Sequence, residues 1–180
     1  MAKINIKKLE ADLWESADLL RAESKLTSNQ YCMPVLGLIF LRYAFSRYKL
    51  VEKEIMANRP MRNGRVMPIS PLDFKEKSAI FLPKEARFDY LVSLPDNVAD
   101  LNLKSKTGED MNSLGEVVNN AMELIESQSR QLEGILPKEY TVFSDSLLSQ
   151  ILRIFNNDAL NEVGGDVIGR IYEYFLNKFA

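Results

Sequence analysis

The chain has 180 residues, 46% of them hydrophobic, which is enough for one domain with a buried core. It holds one cysteine and no histidine, which excludes an internal disulfide, Ser–His and Cys–His hydrolases and histidine zinc sites. A net charge of −2 hides an asymmetry of +5 over residues 1–70 against −7 over residues 71–180, so one face can meet a polyanion and another a basic partner.

The N-terminus, Met-Ala-Lys-Ile-Asn-Ile-Lys-Lys, leads into acidic residues and has no apolar stretch of signal-peptide type. With the lone cysteine, this predicts a cytoplasmic protein. The first helix is expected from about Ile6 to Ala22, with Leu9, Leu13, Ala17 and Leu20 on one apolar stripe and Trp14 beside it. Lys25 to Asn29 is a polar break. The chain is organised around the next helix, from Pro34 to Ala57. Its first half is apolar on every side, which predicts burial, and Leu36, Ile39, Phe40 and Tyr43 are the expected core residues. Ser28 or Asn29 is the expected cap, with Pro34 confined to the first turn, since proline has no N–H to donate. From Arg42 onward the pattern predicts Tyr43, Leu50, Val51 and Ile55 inward and Arg42, Arg47, Lys49, Lys53 and Glu54 outward. The apolar run is shorter than the roughly 20 residues that cross a bilayer.

Residues 58–71 form a loop of turn formers. Asn63-Gly64 favours a tight hairpin, so a short β-ribbon is expected near 61–68. Arg59, Arg62 and Arg65 lie here with no acid among them, and between Arg42 and Arg65 there are 7 basic and 2 acidic residues. A phosphate contact and a solvated linker are equally good readings of such a charge run. A short helix is expected over 71–78, and another after Pro83. Residues 95–106 read as irregular. Residues 108–127 form an amphipathic helix with Met111, Leu114, Val117, Val118, Ala121, Met122 and Ile125 on one side. Gly134 and Pro137 break the chain. Ser144 caps a helix that runs through Phe155, with Leu147, Leu148, Ile151, Leu152 and Phe155 inside. The last helix, Asp166 to Ala180, buries Val167, Ile171, Tyr174 or Phe175, and Phe179. The sum is an all-α, single-domain helical bundle over 1–180.

Few residues invite chemistry. No phosphate loop and no Gly-x-Gly-x-x-Gly occurs. Cys32, next to an apolar run and without a histidine to activate it, reads as a structural thiol. The carboxylates are scattered over polar helix faces. Pro95-Asp96 lacks the following acid-x-Lys that a metal-dependent nuclease would show. Tyr172-Glu173-Tyr174 reads as the packing seam of the last helix.

Several stretches, in order, resemble the opening of the modification (M) subunits of type I restriction–modification systems. Leu13-Trp14-Glu15-Ser16-Ala17-Asp18-Leu19-Leu20-Arg21, then Tyr31 and Leu36-Gly37-Leu38-Ile39-Phe40-Leu41-Arg42-Tyr43, are similar to that family's Leu-Trp-x-x-Ala-Asp-x-Leu-Arg, Tyr and Leu-Gly-Leu-Ile-Phe-Leu-Lys-Tyr. Pro83-Lys84-Glu85-Ala86-Arg87-Phe88 resembles a Pro-Glu-x-Ala-x-Trp stretch, with Phe88 in place of Trp. Ala121-Met122-Glu123-Leu124-Ile125-Glu126 and Gly169-Arg170-Ile171-Tyr172-Glu173-Tyr174-Phe175-Leu176 resemble two further segments. The family's Asn-Pro-Pro-aromatic loop and Gly-rich strand-turn for S-adenosylmethionine are absent. The resemblance therefore implies the N-terminal helical domain alone, with a catalytic domain expected after residue 180.

For the full-length subunit it implies methyl transfer from S-adenosylmethionine to the adenine exocyclic amine in DNA, with target bases flipped from the duplex. It implies as partners a specificity subunit, a second modification subunit, a restriction subunit and double-stranded DNA, and no membrane. The 180 residues themselves are expected to be inactive, with no catalytic, cofactor-binding or metal residues. Sequence reading belongs to the specificity subunit, so contacts here go to phosphates, with Arg59, Arg62, Arg65, Lys104 and Lys106 as candidates. A helical protein–protein adaptor that never touches nucleic acid is the alternative.

Overall fold

The structure is a computed structural model. It describes residues 5–179 apart from 59, 60, 63, 67, 68, 78, 96, 158, 163 and 164, and only the backbone at 61, 62, 66, 161, 162 and 165. Helix α1 spans Ile6–Ser24 and α2 Ser28–Ala57. A ribbon of β1 (Met61–Arg62) and β2 (Arg65–Val66) follows, then α3 (Pro71–Glu76) and α4 (Phe88–Ser93). A second ribbon pairs β3 (Leu103–Lys104) with β4 (Asp110–Met111). The rest is α5 (Leu114–Gln128), α6 (Asp145–Phe155), α7 (Ala159–Glu162) and α8 (Gly165–Phe179). Short 3₁₀ turns occupy Lys84–Ala86, Val98–Leu101, Arg130–Leu132 and Tyr140–Val142. The helical expectation holds, and the only described strands are the two antiparallel ribbons, the first of them at the predicted place.

Helix α2 is the axis of the core. Tyr31, Val35, Leu36, Leu38, Ile39 and Leu41 are each at most 1% exposed. Its cap differs from the expectation: Thr27 takes that role rather than Ser28 or Asn29. The Thr27 hydroxyl accepts from the Gln30 N–H (3.2 Å), and the Gln30 side chain accepts from the Thr27 N–H (3.1 Å). Helix α2 therefore begins earlier and Pro34 lies inside it, not in its first turn. The missing proline N–H leaves the Gln30 carbonyl without its usual helical donor. One residue group is added nearby: the buried Tyr140 hydroxyl donates to the Pro34 carbonyl at 2.6 Å. Gly37 makes that approach possible, because a Cβ there would lie 2.4 Å from the Tyr140 hydroxyl oxygen and 2.5 Å from Pro137 Cγ.

The outward half of α2 is rotated from the expectation. Arg42 is only 1% exposed, whereas Tyr43 (36%) and Leu50 (52%) reach solvent and Phe40 is half-buried. Leu38, Arg42 and Phe45 fall at helical spacing on one buried stripe, so position overrides residue type. Val51 and Ile55 are buried as expected.

Helix α8 runs antiparallel along α2. Tyr31 near the start of α2 meets Phe179 at the end of α8 (6.2 Å between rings). Trp14 of α1 closes this end edge-on against Phe175 and Phe179, at 5.3 and 5.0 Å. The Tyr172-Glu173-Tyr174 seam is only partly realised. Phe175, next in sequence, is the fully buried residue, while Tyr172 and Tyr174 are half-buried and Glu173 is exposed. Helix α5 starts at Leu114, not at 108. Ser113 caps it by accepting from Glu116 N–H (3.2 Å), and Asp145 of α6 accepts from Leu114 N–H (3.0 Å). Met111 is buried from β4 instead. Helix α6 matches its prediction, with Ser144 accepting from Leu147 N–H; only Leu147 remains half-buried.

Candidate nucleic-acid interface

The first ribbon leaves α2 just after Asn58, whose backbone N–H returns to the carbonyls of Glu54 and Ile55. Met61 pairs with Val66 and Arg62 with Arg65, which leaves a two-residue turn. Gly64 in that turn has φ +77, the left-handed conformation that a tight hairpin demands and that glycine adopts without cost. Two arginines thus stand opposite each other across the ribbon. Arg65 is exposed. Arg59 and the Arg62 side chain lie outside the described residues. Like charges directly opposite each other do not stabilise a ribbon.

The second ribbon looks similar and is wired differently. Lys104 faces Asp110 in register, and its Nζ forms an ion pair with the Asp110 carboxylate. The backbone N–H of Lys106 donates to Oδ1 of the buried Asn120 on α5 at 2.8 Å. Ser105 holds the turn: its hydroxyl accepts from the Thr107 and Glu109 N–H groups, and Gly108 takes φ +86. The Lys106 side chain is exposed. Lys104 and Lys106 share this ribbon with Glu109 and Asp110, so its charge is balanced, unlike that of the first.

The basic run along α2 thins out in three dimensions. Arg42 donates from Nε to the Phe155 carbonyl (3.0 Å) and from a terminal nitrogen to Ser46 Oγ (2.6 Å). It also packs its guanidinium over Phe45 and Phe88 at 5.6 and 5.7 Å. Burial lowers its pKa, against the opposing charge of Asp89. Arg47 donates to the Lys77 carbonyl (2.8 Å), and Lys49 pairs with Glu52 (3.5 Å). Among the described basic side chains of this stretch, Lys49, Lys53 and Arg65 are exposed. Among the described residues, Glu10, Arg42 and Asn120 are the buried polar side chains that sequence reasoning missed. The signal was present for Arg42, three and four residues from Phe45 and Leu38.

Other polar groups answer to the fold. Tyr31 donates to the Ala17 carbonyl (2.6 Å), and burial raises its hydroxyl pKa. Tyr48, buried and donating to Glu52, is pushed up to about 12. Burial also pushes the Cys32 thiol up, away from the thiolate a nucleophile needs. Among the described residues no buried side-chain polar atom lacks a partner, no acid or thiol cluster could hold a metal, and no helix is long and apolar enough to cross a membrane.

Known sequences place this arrangement. The family description "HsdM N-terminal domain" matches residues 9–155. The type I restriction enzyme MjaIX methylase subunit of Methanocaldococcus jannaschii is 33% identical over 186 residues, covering 95% of this chain and 30% of the relative. The type I restriction enzyme HindI methylase subunit of Haemophilus influenzae is 27% identical over 112 residues, covering 55% of this chain and 24% of the relative. The chain thus spans less than a third of the length of either relative.

Proposed function

This chain belongs to the HsdM N-terminal domain family, and from that premise we propose that it clamps DNA and helps assemble a type I restriction–modification methyltransferase. The observation that carries the DNA reading is the first ribbon: Arg62 and Arg65 face each other across it, and no acid stands between Arg59 and Arg65. A guanidinium matches two phosphate oxygens in a bidentate fork, and the net acidic remainder of the molecule orients such an arc towards the duplex. Arg59, Arg62 and Arg65 are the principal phosphate contacts in this reading. Lys106 is secondary, and Lys104 is already engaged by Asp110.

Methyl transfer to the adenine exocyclic amine belongs, in this proposal, to the rest of the full-length subunit. The residues here do not fit S-adenosylmethionine. The described strands are two-residue ribbons, none followed by a Gly-rich turn into a helix, and Gly165 opens α8 directly. The assembly partners are a specificity subunit, a second modification subunit and a restriction subunit, in a cytoplasmic complex. The adaptor reading, protein contacts only, finds support in the apolar side chains left exposed on α2 and α8.

The two readings part on one experiment. The triple variant Arg59→Ala, Arg62→Ala, Arg65→Ala is titrated with cognate and non-cognate duplexes in the assembled enzyme. Affinity for both falls by a similar factor under the clamp reading, because phosphate contacts carry no sequence information. Unchanged affinity leaves the adaptor, and a loss confined to cognate DNA would make the ribbon a reader of bases or shape.

A further inference from the structure

Helices α2 and α8 turn an apolar seam outward. A cleft of about 280 Å³ opens between them, lined chiefly by Ile39, Phe40, Tyr43, Ile168, Gly169 and Tyr172. Beyond its lining the apolar surface continues along both helices. Met33 is 54% exposed and Leu176 45%. On α2, Met33, Phe40, Tyr43 and Leu50 recur at seven- and three-residue intervals, which places them on one face. On α8, Gly169, Tyr172 and Leu176 do the same at three and four. Apolar stripes of this kind normally mark the surface another element covers.

Gly169 adds an independent sign. Glycine inside a helix costs about 1 kcal/mol relative to alanine. Within this chain nothing compensates, since a Cβ at Gly169 would meet no atom within 4 Å. Gly169 thus leaves open space along the edge of the cleft, room for the close approach of another chain segment. Its surroundings are not made for phosphate: Asp166 and Glu173 are exposed on the same helix, and Arg170 is engaged by Glu10 at 3.5 Å.

We propose that this seam docks the part of the subunit that follows α8 in full-length members of the family. The match spans 30% of the archaeal relative, so a large remainder exists there to be placed. Phe179, near the end of α8, packs 5.0 Å from Trp14 and 6.2 Å from Tyr31, so the last turn of α8 lies beside the start of α2, one turn beyond Leu176 of the seam. A tethered occupant binds at a high effective concentration, which free partners must match by affinity. The proposal rests on family membership and goes beyond the DNA reading, which it neither uses nor needs.

The test is cysteine footprinting without DNA. In a Cys32→Ser background, Tyr43→Cys and Leu176→Cys are placed on the seam, and Leu19→Cys, 61% exposed on α1, serves as control. Maleimide labelling is followed by mass spectrometry in the 180-residue chain and in the full-length subunit. The expected result is at least tenfold slower labelling of both seam cysteines in the full-length subunit, with the control unchanged. Equal rates in the two proteins overturn the proposal. So does slowing that appears only at high protein concentration or after another subunit is added, because the occupant is then a second copy or a partner. Hydrogen exchange of the unsubstituted proteins over residues 33–43 and 168–176 reads the same difference should a variant fold poorly.

Discussion

Arg42 and Arg65 lie 23 positions apart and sit in opposite surroundings. Around α2 the polar groups are answered from within: Arg42 by the Phe155 carbonyl and Ser46, Tyr31 by Ala17, the Pro34 carbonyl by Tyr140. On the ribbon that follows α2, Arg65 is exposed and its cross-strand neighbour is another arginine. Counting basic residues along the sequence treats the two alike. Burial and register separate a side chain that holds helices together from one available to a ligand.

The comparison breaks most visibly at Arg42. Arg42→Ala removes a buried side chain and leaves the Phe155 carbonyl without that donor, so it should cost about 3 kcal/mol in chemical denaturation. Arg65→Ala, at an exposed site, should stay within about 0.5 kcal/mol. Equal effects would erase the distinction. Gly37→Ala comes next. Its Cβ would overlap the Tyr140 hydroxyl and Pro137, and overpacking of this kind costs about 1–3 kcal/mol. The Tyr140–Pro34 hydrogen bond would be lost with it, which backbone and side-chain NMR shifts at Tyr140 would report.

Glu126 extends the internal pattern to α5. Burial pushes its carboxyl pKa up, but hydrogen bonds from Lys138 and the Leu136 and Gly134 N–H groups, and the Lys138 charge, outweigh this and hold it below its ordinary value of 4.5. A depressed folded-state pKa means stability that is complete above 4.5 and lost as pH falls through the lowered value. Glu126→Gln should therefore cost about 1–2 kcal/mol at pH 7, with the gap to the parent closing on acidification. A gap that widens at low pH would reverse the sign assigned here. The smallest effect belongs to Lys104→Ala. Both Lys104 and Asp110 are more than half exposed, so thermal stability should change by less than about 0.5 kcal/mol.

The fold was legible where periodicity is strong and local. Leu9, Leu13, Ala17 and Leu20 on α1, and Leu148, Ile151, Leu152 and Phe155 on α6, are buried as their spacing predicts. The ribbon at 61–66 followed from Asn63-Gly64. Misreadings arose where a distant partner decides. Pro34 is accommodated inside α2 beside a hydroxyl more than 100 residues away, and Thr27 displaced Ser28 as cap because Gln30 reciprocates. Met111 fits the α5 stripe by spacing, yet Ser113 starts that helix later and the residue is buried from a strand. The candidate interface was legible as charge only. That Lys104 is matched by Asp110 while Arg65 faces Arg62 depends on register, which composition does not carry.

Placing the two ribbons side by side on DNA tests this account most directly. In the assembled enzyme, the triple Arg59→Ala, Arg62→Ala, Arg65→Ala variant and the double Lys104→Ala, Lys106→Ala variant are titrated with one non-cognate duplex at several salt concentrations. Each phosphate contact contributes about 0.9 to the log–log salt slope, so losing three arginine contacts should make it shallower by about 2.7, while the lysine variant should change it by less than about 1. An unchanged slope for the arginine variant, or an equal or larger change for the lysine variant, would contradict the assignment of the first ribbon as the phosphate clamp.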